Sequence, residues 1–516
     1  MAITSIPVIT AQLLAANGLV GPNPFRTLIC GQIGTDGSAI SGAAYQELQN
    51  MTTAQIIALF GTKSEMTNRL IRHLSVMNGL VSVWAVGLTA GAGTAATFAM
   101  AIVGTATQAG TITLKLIDAY NFTIQISVAV GDTAAVIAGN INTAILALGS
   151  LFPATTNVVS GTITFTANDV GTLGNKYTIG LVGQIPAGIS ALPVGQFSSG
   201  ATDPTLTNIF ANVASTRFHS ISWPWQTAFA TVKNFLESRN VINNAFLHGI
   251  AFIGLDDTES NIHTALNGVT PVNSPNLVFM GNKAVGGVSQ IITPSDWRAV
   301  EFMAIEALRM TQNAPISQYL SSTAPNDQYG GPALASLPLF NTPLAKTDIA
   351  DPSLLFSQTE QNACVVDGFT VVGVNSSRSM MIMGTVVTTY KTNVQGQVDP
   401  SFKYLEYVRT GFMALEIVFN TQKSDYAQTR LTQGDLQAGF SMANQASITA
   451  ELLGIYRTLS TTFPLLQAGK AAESNFLNKL IVSLNLATGT VTETGVFTIV
   501  TQLRTINQTF QLAYTL

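Results

Sequence analysis

The stretch Met380–Arg409, MMIMGTVVTTYKTNVQGQVDPSFKYLEYVR, sets how the rest of the chain is read. It opens as an apolar, β-branched run from Met381 to Tyr390, the composition of a buried strand. Asn393-Val394-Gln395-Gly396 is turn material. Asp399-Pro400-Ser401 then reads as a helix start, with Asp399 as N-cap and Pro400 at the first helical position. Tyr404, Tyr407, Val408, Phe412 and Leu415 recur at helical spacing beyond it. A Thr-Thr-Tyr strand end, a polar turn and an Asp-Pro-Ser helix start are compatible with a binding loop or with scaffold.

Composition narrows the choice. Of 516 residues 47% are apolar, enough for a large core, and only 10% are charged, against about 25% in ordinary globular chains. The net charge of −4, from 23 basic and 27 acidic residues, argues against nonspecific nucleic-acid binding, which needs clustered Lys and Arg. So little charge predicts a surface that faces other protein, or one coated with Thr, Ser, Asn and Gln. No apolar run reaches the ~18 residues of a membrane span. The N-terminus MAITSIPVITAQLL lacks the basic residues of a signal peptide, so a cytoplasmic site of folding is expected. Cys30 and Cys364 both lie in apolar strand-like runs and read as reduced core residues.

Outward from the opening stretch, the chain divides by pattern. Residues 1–22 carry no charge and read as an extended N-terminal arm. A strand from Phe25 to Ile33, a helix from Thr52 or Thr53 to Phe60, a helix from Ser64 to Asn78 and a strand from Val81 to Val86 indicate an α/β unit. At Thr89-Ala90-Gly91-Ala92-Gly93-Thr94 the composition changes. From Ala92 to Thr202 only Lys115, Asp118, Asp132, Asp169 and Lys176 are charged. Strands are expected at 110–117, 122–130, 161–166 and 177–182. Between them lies a helix capped by Asp132 that turns Ile137, Ile141, Ile145 and Leu148 inward. We read 92–202 as an inserted β-rich α+β domain.

The α/β pattern then resumes. A helix is expected near Leu206–Ala214, strands at 218–223, 248–254 and 276–281, and an amphipathic helix from Thr293-Pro294-Ser295-Asp296 that buries Trp297, Val300, Ala304, Ala307 and Leu308. Beyond a Pro-rich loop at 330–343 come a short helix, a strand at 369–374, helices at 430–439 and 445–459, and a strand near 480–486. The fold class is multidomain α+β and α/β: a discontinuous α/β core (23–91 with 203–350), the insert 92–202, a C-terminal core domain 351–504, and terminal arms. The C-terminal arm, 505–516, alternates. Ile506, Phe510, Leu512, Tyr514 and Leu516 share one strand face, with Gln508 the one break, while Phe497, Ile499 and Leu503 have the opposite parity. The phase slip between Leu503 and Ile506 makes the end a separate strand ready to pair.

Catalytic signatures are sparse. Gly61-Thr62-Lys63-Ser64 and Gly469-Lys470-Ala471 fail the phosphate-loop pattern, and no G-x-S-x-G elbow occurs. His73, His219, His248 and His263 lack metal-ligand spacing. Asp256-Asp257-Thr258-Glu259 follows a strand end, where α/β enzymes place their sites, so a divalent-cation site there competes with a plain helix cap. Trp223-Pro224-Trp225 fits either stacking of a ligand ring or core packing.

A resemblance then becomes specific. Ser357-Gln358-Thr359-Glu360, Val366-Asp367-Gly368, Val387-Thr388-Thr389-Tyr390-Lys391-Thr392, Asp399-Pro400-Ser401-Phe402 and Tyr407-Val408-Arg409 resemble, in order and spacing, the C-terminal core of contractile phage tail sheath proteins. Ile221-Ser222-Trp223-Pro224 resembles the family's middle region. The resemblance covers 205–516 well and 25–90 plausibly; 92–202 falls where the family varies. It implies a structural subunit with no cofactor and no enzymatic activity. Such subunits stack as hexameric rings around a tail tube and contract by rigid-body movement to drive the tube through the host envelope. The partners it implies are further copies of the chain, the tube protein, and baseplate and terminator proteins, without nucleic acid or membrane insertion. Thr388, Thr389, Tyr390 and Asp399 become a core scaffold motif, and Lys391, Lys403 and Arg409 candidate contacts to acidic residues of the tube. Two other readings are a static capsid or surface-layer protein and a metal-dependent α/β enzyme using Asp256, Asp257 and Glu259.

Overall fold

The computed structural model describes residues 25–77, 79, 81–240, 246–286, 288–312, 339, 342–461 and 465–500. They fall into two compact units, one of residues 23–312 with 339–405, the other containing 406–500.

The first unit is built on an eight-stranded sheet. Its strands are β1 (Arg26–Ile33), β2 (Ala44–Tyr45), β3 (Ser82–Thr89), β4 (Ser220–Trp223), β5 (Ile250–Gly254), β6 (Leu277–Gly281), β7 (Phe369–Val374) and β8 (Met380–Met383), in spatial order β8-β7-β6-β5-β4-β1-β3-β2. The six central strands are parallel; β2 and β8 are antiparallel edges. Strands β5 and β6 are buried at every position, the signature of strands covered on both faces. One face carries Leu28, Cys30, Ile221, Trp223, Ala251, Ile253 and Phe279. It packs under α4 (Phe229–Glu237), α5 (Glu259–Asn267) and α7 (Gln358–Val366). Trp223 and Trp225 lie fully inside this layer, so the Trp-Pro-Trp cluster is core.

The opposite face lies under α2 (Glu65–Met77) and α6 (Ser295–Gln312) and is unexpectedly polar. Thr27 meets His73 across 3.0 Å, and Ser220 donates to Glu306 at 3.0 Å. Helix α6 was expected to keep a solvated face. Instead Arg298, Glu301 and Glu306 are as fully buried as Trp297 and Val300, because α2 and the 92–202 segment cover that side; Leu308 is only half-buried.

The 92–202 segment has its own core. A three-stranded sheet (Ala95–Ala101, Thr162–Val170, Ala154–Val159) and a four-stranded one (Gly195–Gln196, Thr178–Val182, Gly110–Leu116, Thr123–Val128) enclose Ile137, Ile141 and Ile145 of α3 (Ala134–Leu146). Strict alternation of burial along Thr162–Val170 shows why period 2 was legible there. Thr133, not Asp132, caps α3; Asp132 instead accepts from the Ala129 amide at 2.7 Å.

Several local expectations change. Helix α1 (Thr53–Phe60) starts as read, with a Thr52–Gln55 capping box. Residues 206–214 form turns and one short 3₁₀ turn rather than a helix. The strand expected through Tyr390 ends at Met383, where Gly384 adopts φ +73° and turns the chain. Asp399 holds the amide of Ser401 at 2.9 Å in a local turn, and α8 (Leu405–Asp425) begins only at Leu405. Residues 351–405, read together with the chain to 504, here complete the large sheet.

In the second unit, α9 (Gln445–Thr461), α10 (Lys470–Lys479) and the hairpin of β9 (Ile481–Asn485) and β10 (Thr490–Thr494) gather around Ile417, Ile455, Leu459 and Phe476. Tyr456, Phe476 and Phe497 stack in series, with neighbouring centroids 4.6 and 5.4 Å apart. The helix expected at 430–439 is absent: Arg430–Leu431 pairs with Met442–Ala443 instead.

Two glycines test this packing with opposite signs. A Cβ at Gly254 would overlap the backbone of Ser295 and Asp296 at the start of α6, whereas one at Gly139 on α3 meets open space. Gly254→Ala should cost about 1–3 kcal/mol or more through overpacking. Gly139→Ala should add up to about 1 kcal/mol through helix propensity. Urea denaturation of the full chain followed by tryptophan fluorescence measures both.

Candidate assembly surface

The Thr-Thr-Tyr motif is fastened to the N-terminal ends of β6 and β7. The Thr389 amide donates to the Leu277 carbonyl at 3.0 Å. The Thr389 hydroxyl donates to the Ser274 carbonyl at 3.0 Å and accepts from the Ser274 amide at 3.2 Å. The Thr370 hydroxyl receives the Val387 amide at 3.0 Å. Gly368, at φ +84°, lets Thr388 and Thr389 approach so closely that a Cβ there would lie 2.9 Å from the Thr388 carbonyl oxygen.

From this anchor the chain makes a closed loop. Val387 bridges Tyr404, the Thr388 amide donates to Lys403 at 2.8 Å, and the Thr388 hydroxyl donates to Phe402 at 2.7 Å. The Tyr390 hydroxyl donates to Asp399 at 2.7 Å, with Phe402 edge-on to the Tyr390 ring. Burial and that bond to a carboxylate push the Tyr390 phenol up to about 12. The hydrogen bonds from Ser401, above all, hold Asp399 below its ordinary range. Thr388, Thr389, Tyr390 and Asp399 are thus brought together as one hydrogen-bonded scaffold. At the tip, Val394 is 96% and Val398 88% exposed, an apolar rim the sequence reading did not single out.

The three basic residues divide. The Lys391 ammonium donates to the carbonyls of Leu266 and Asp367 at 3.0 and 3.2 Å and to Asn267, so it is spent inside the chain; desolvation lowers its pKa. Arg409, on α8, is 4% exposed. Lys403 is half-buried beside the Tyr404 ring, and desolvation lowers its pKa also.

The opposite, C-terminal end of the sheet is where an α/β enzyme would place its chemistry. It is filled. Asp256 pairs with Arg298 and accepts from the Asn282 amide and the Ser289 hydroxyl, at 2.8 and 2.7 Å, while Thr258 caps α5. Among the described residues no group of three or more His, Cys, Asp or Glu could hold a metal ion. Cys30 and Cys364 are buried free thiols.

In the second unit, the hairpin β9–β10 is a two-stranded sheet, and among the described residues no strand pairs with its outer edges. Its second strand, TVTET, was missed because Val491 is its only apolar residue. The following residues, Phe497 and Ile499, face the core as their parity suggested, and the chain there pairs with 465–467 through Gln467 to Thr498 at 2.8 Å. The arm residues Ile506, Phe510, Leu512, Tyr514 and Leu516 lie outside the described residues, as does the N-terminal arm.

No family model matches the chain. A Mu-like prophage tail sheath protein of Haemophilus influenzae is 27% identical over 398 residues, spanning 75% of this chain and 72% of that one. Solved structures with a similar chain course include a sheath tail protein of Listeria innocua (TM-score 0.46, 11% identity, 97% and 96% covered). Another is the contracted helical sheath of the anti-feeding prophage (TM-score 0.43, 10% identity, 96% of both). With those TM-scores below 0.5, the sequence relative carries the assignment. By that relative, this chain is similar to phage and prophage tail sheath proteins, which are structural.

The scaffold reading predicts a graded response at Thr389. Thr389→Val removes both bonds to Ser274 and should cost about 1–3 kcal/mol, whereas Thr389→Ser should retain most of the stability. Denaturation midpoints of the two variants compare them directly.

Proposed function

We propose that this chain polymerises into stacked hexameric rings around a tail tube, in a tail-like particle with baseplate and terminator proteins at its ends. It contracts by rigid-body movement of its subunits and drives the tube through a host envelope. The observation that carries the reading is the β9–β10 hairpin, on whose edges no strand pairs among the described residues, in a chain whose residues 506–516 alternate in sequence as a strand would. A two-stranded sheet is marginal alone and gains from added strands. Arms from neighbouring copies, 505–516 and 1–22, supply them.

The energetics suit reversible linkage. Burial of the five apolar arm side chains contributes roughly 1.5–3 kcal/mol each and ladder hydrogen bonds about 1 kcal/mol each. Ordering the arm costs roughly 1–2 kcal/mol per residue, which nearly cancels the gain. One arm binds weakly; a lattice of arms holds through effective concentration. Tube contact falls to the exposed rim of Val394 and Val398 with Lys403 beside it.

Deletion of Thr505–Leu516 should leave a folded monomer that forms no tubes. Negative-stain microscopy of intact and truncated protein decides it. Hollow striated tubes from the intact chain alone support the proposal. Tubes of normal appearance from the truncated chain, or sheets and shells from the intact one, overturn it.

A further inference from the structure

Helix α2 places two arginines at the junction between the large sheet, α6 and the 92–202 segment. Arg69, fully buried, donates to the Cys30 carbonyl and to Ser222, and its Nε lies 3.1 Å from Glu65 and 4.0 Å from Asp296. Asp169, from the 92–202 segment, accepts the Glu65 amide at 2.6 Å. Lys176, from the same segment, reaches Asp296 at 3.7 Å and the Pro224 carbonyl. The Tyr177 hydroxyl and one oxygen each of Asp169 and Asp296 are buried with no hydrogen-bond partner.

We propose that a retained proton latches the 92–202 segment onto the α2–α6 layer: three buried carboxyls, Glu65, Asp169 and Asp296, face only two cations, Arg69 and Lys176, and one carboxyl stays protonated to remove the excess charge. An uncompensated buried carboxylate is costly, and taking up a proton is the usual escape. Desolvation above all raises Glu65 well above its ordinary range, with the nearby Asp296 and Asp169 charges adding to it against the opposing pull of Arg69, and desolvation raises Asp169 to about 7. Among the neighbours, burial pushes the Cys30 thiol up to about 12 and the Tyr177 phenol well above its ordinary value, and pushes His73 down to about 4. Around this cluster, Arg298 is paired with Asp256, and Arg72 with Asp118 and Glu301 at 3.0 and 3.4 Å. Asp118, from the 92–202 segment, is also raised by desolvation and has Asp348 nearby.

The sign follows from linkage. Glu65 and Asp169 have folded-state values above their unfolded ones, so the stability they contribute is full in acid and is lost as pH rises through the folded values. The junction should therefore loosen progressively as pH climbs from the ordinary carboxyl range toward about 7, opposite to ordinary acid denaturation.

Hydrogen-exchange protection factors of the full-length monomer at 65–73 and 169–178, from pH 4 to pH 9, test this. Protection should fall about tenfold for each pH unit between the ordinary carboxyl value and the folded value, per retained proton, and level off above it, while α9 stays constant. Asp169→Asn, which keeps an acceptor for the Glu65 amide, or Glu65→Gln should flatten the profile; Asp118→Asn should leave it. A flat wild-type profile overturns the proposal even if no variant folds. So does an unchanged slope in both Asp169→Asn and Glu65→Gln, or a slope abolished by Asp118→Asn alone.

Discussion

A guanidinium with no solvent exposure must find its partners inside the protein, and Arg69 organises the first unit around that requirement. Its donors reach the backbone of β1 and the side chain of β4, so the polar face of the sheet exists to receive it. Its countercharges come from its own helix and from α6. Arg72, one turn further, does the same with Asp118 of the 92–202 segment and Glu301 of α6, and stands 5.9 Å over the Trp297 ring. Such pairs add little net stability, but they are unforgiving of geometry: loss of one partner strands a buried charge. A segment fastened this way moves with the sheet rather than swinging from its glycine-rich joints.

The same economy governs the opening motif. Thr388 and Thr389 spend their hydroxyl protons on backbone carbonyls of Phe402 and Ser274. The scaffold instead projects Val394 and Val398 into solvent at the tip of a rigid loop. On the proposed assembly reading, a hydrogen-bonded support under an apolar rim suits contact with another protein surface. An α/β architecture usually offers chemistry at the other end of the sheet. Here Arg298 and Asp256 have closed it, and Gly254 and Gly281 bring backbone where a crevice would be.

Sequence by itself determined the elements whose burial follows a single period. The strand at 161–166, the helix start at Thr52, the apolar runs of β5 and β6 and the inward face of α3 were legible because each depends on neighbours along the chain. Thr388, Thr389, Tyr390 and Asp399 were grouped through a resemblance of order and spacing, and the hydrogen bonds that join them come from the tertiary structure. Only tertiary structure decided the rest. The run Met381–Tyr390 looks like one strand, but Gly384 turns it and the bonds from Thr389 to Leu277 and Ser274 hold the second half as a loop. Helix α6 has an amphipathic sequence, yet its charged face is buried because ion partners come from segments far away in the chain. Lys391 reads as a surface charge until Leu266, Asn267 and Asp367 converge on it. A residue's chemistry is written in the sequence, but whether its charge meets water or a buried partner depends on long-range packing that no local pattern records.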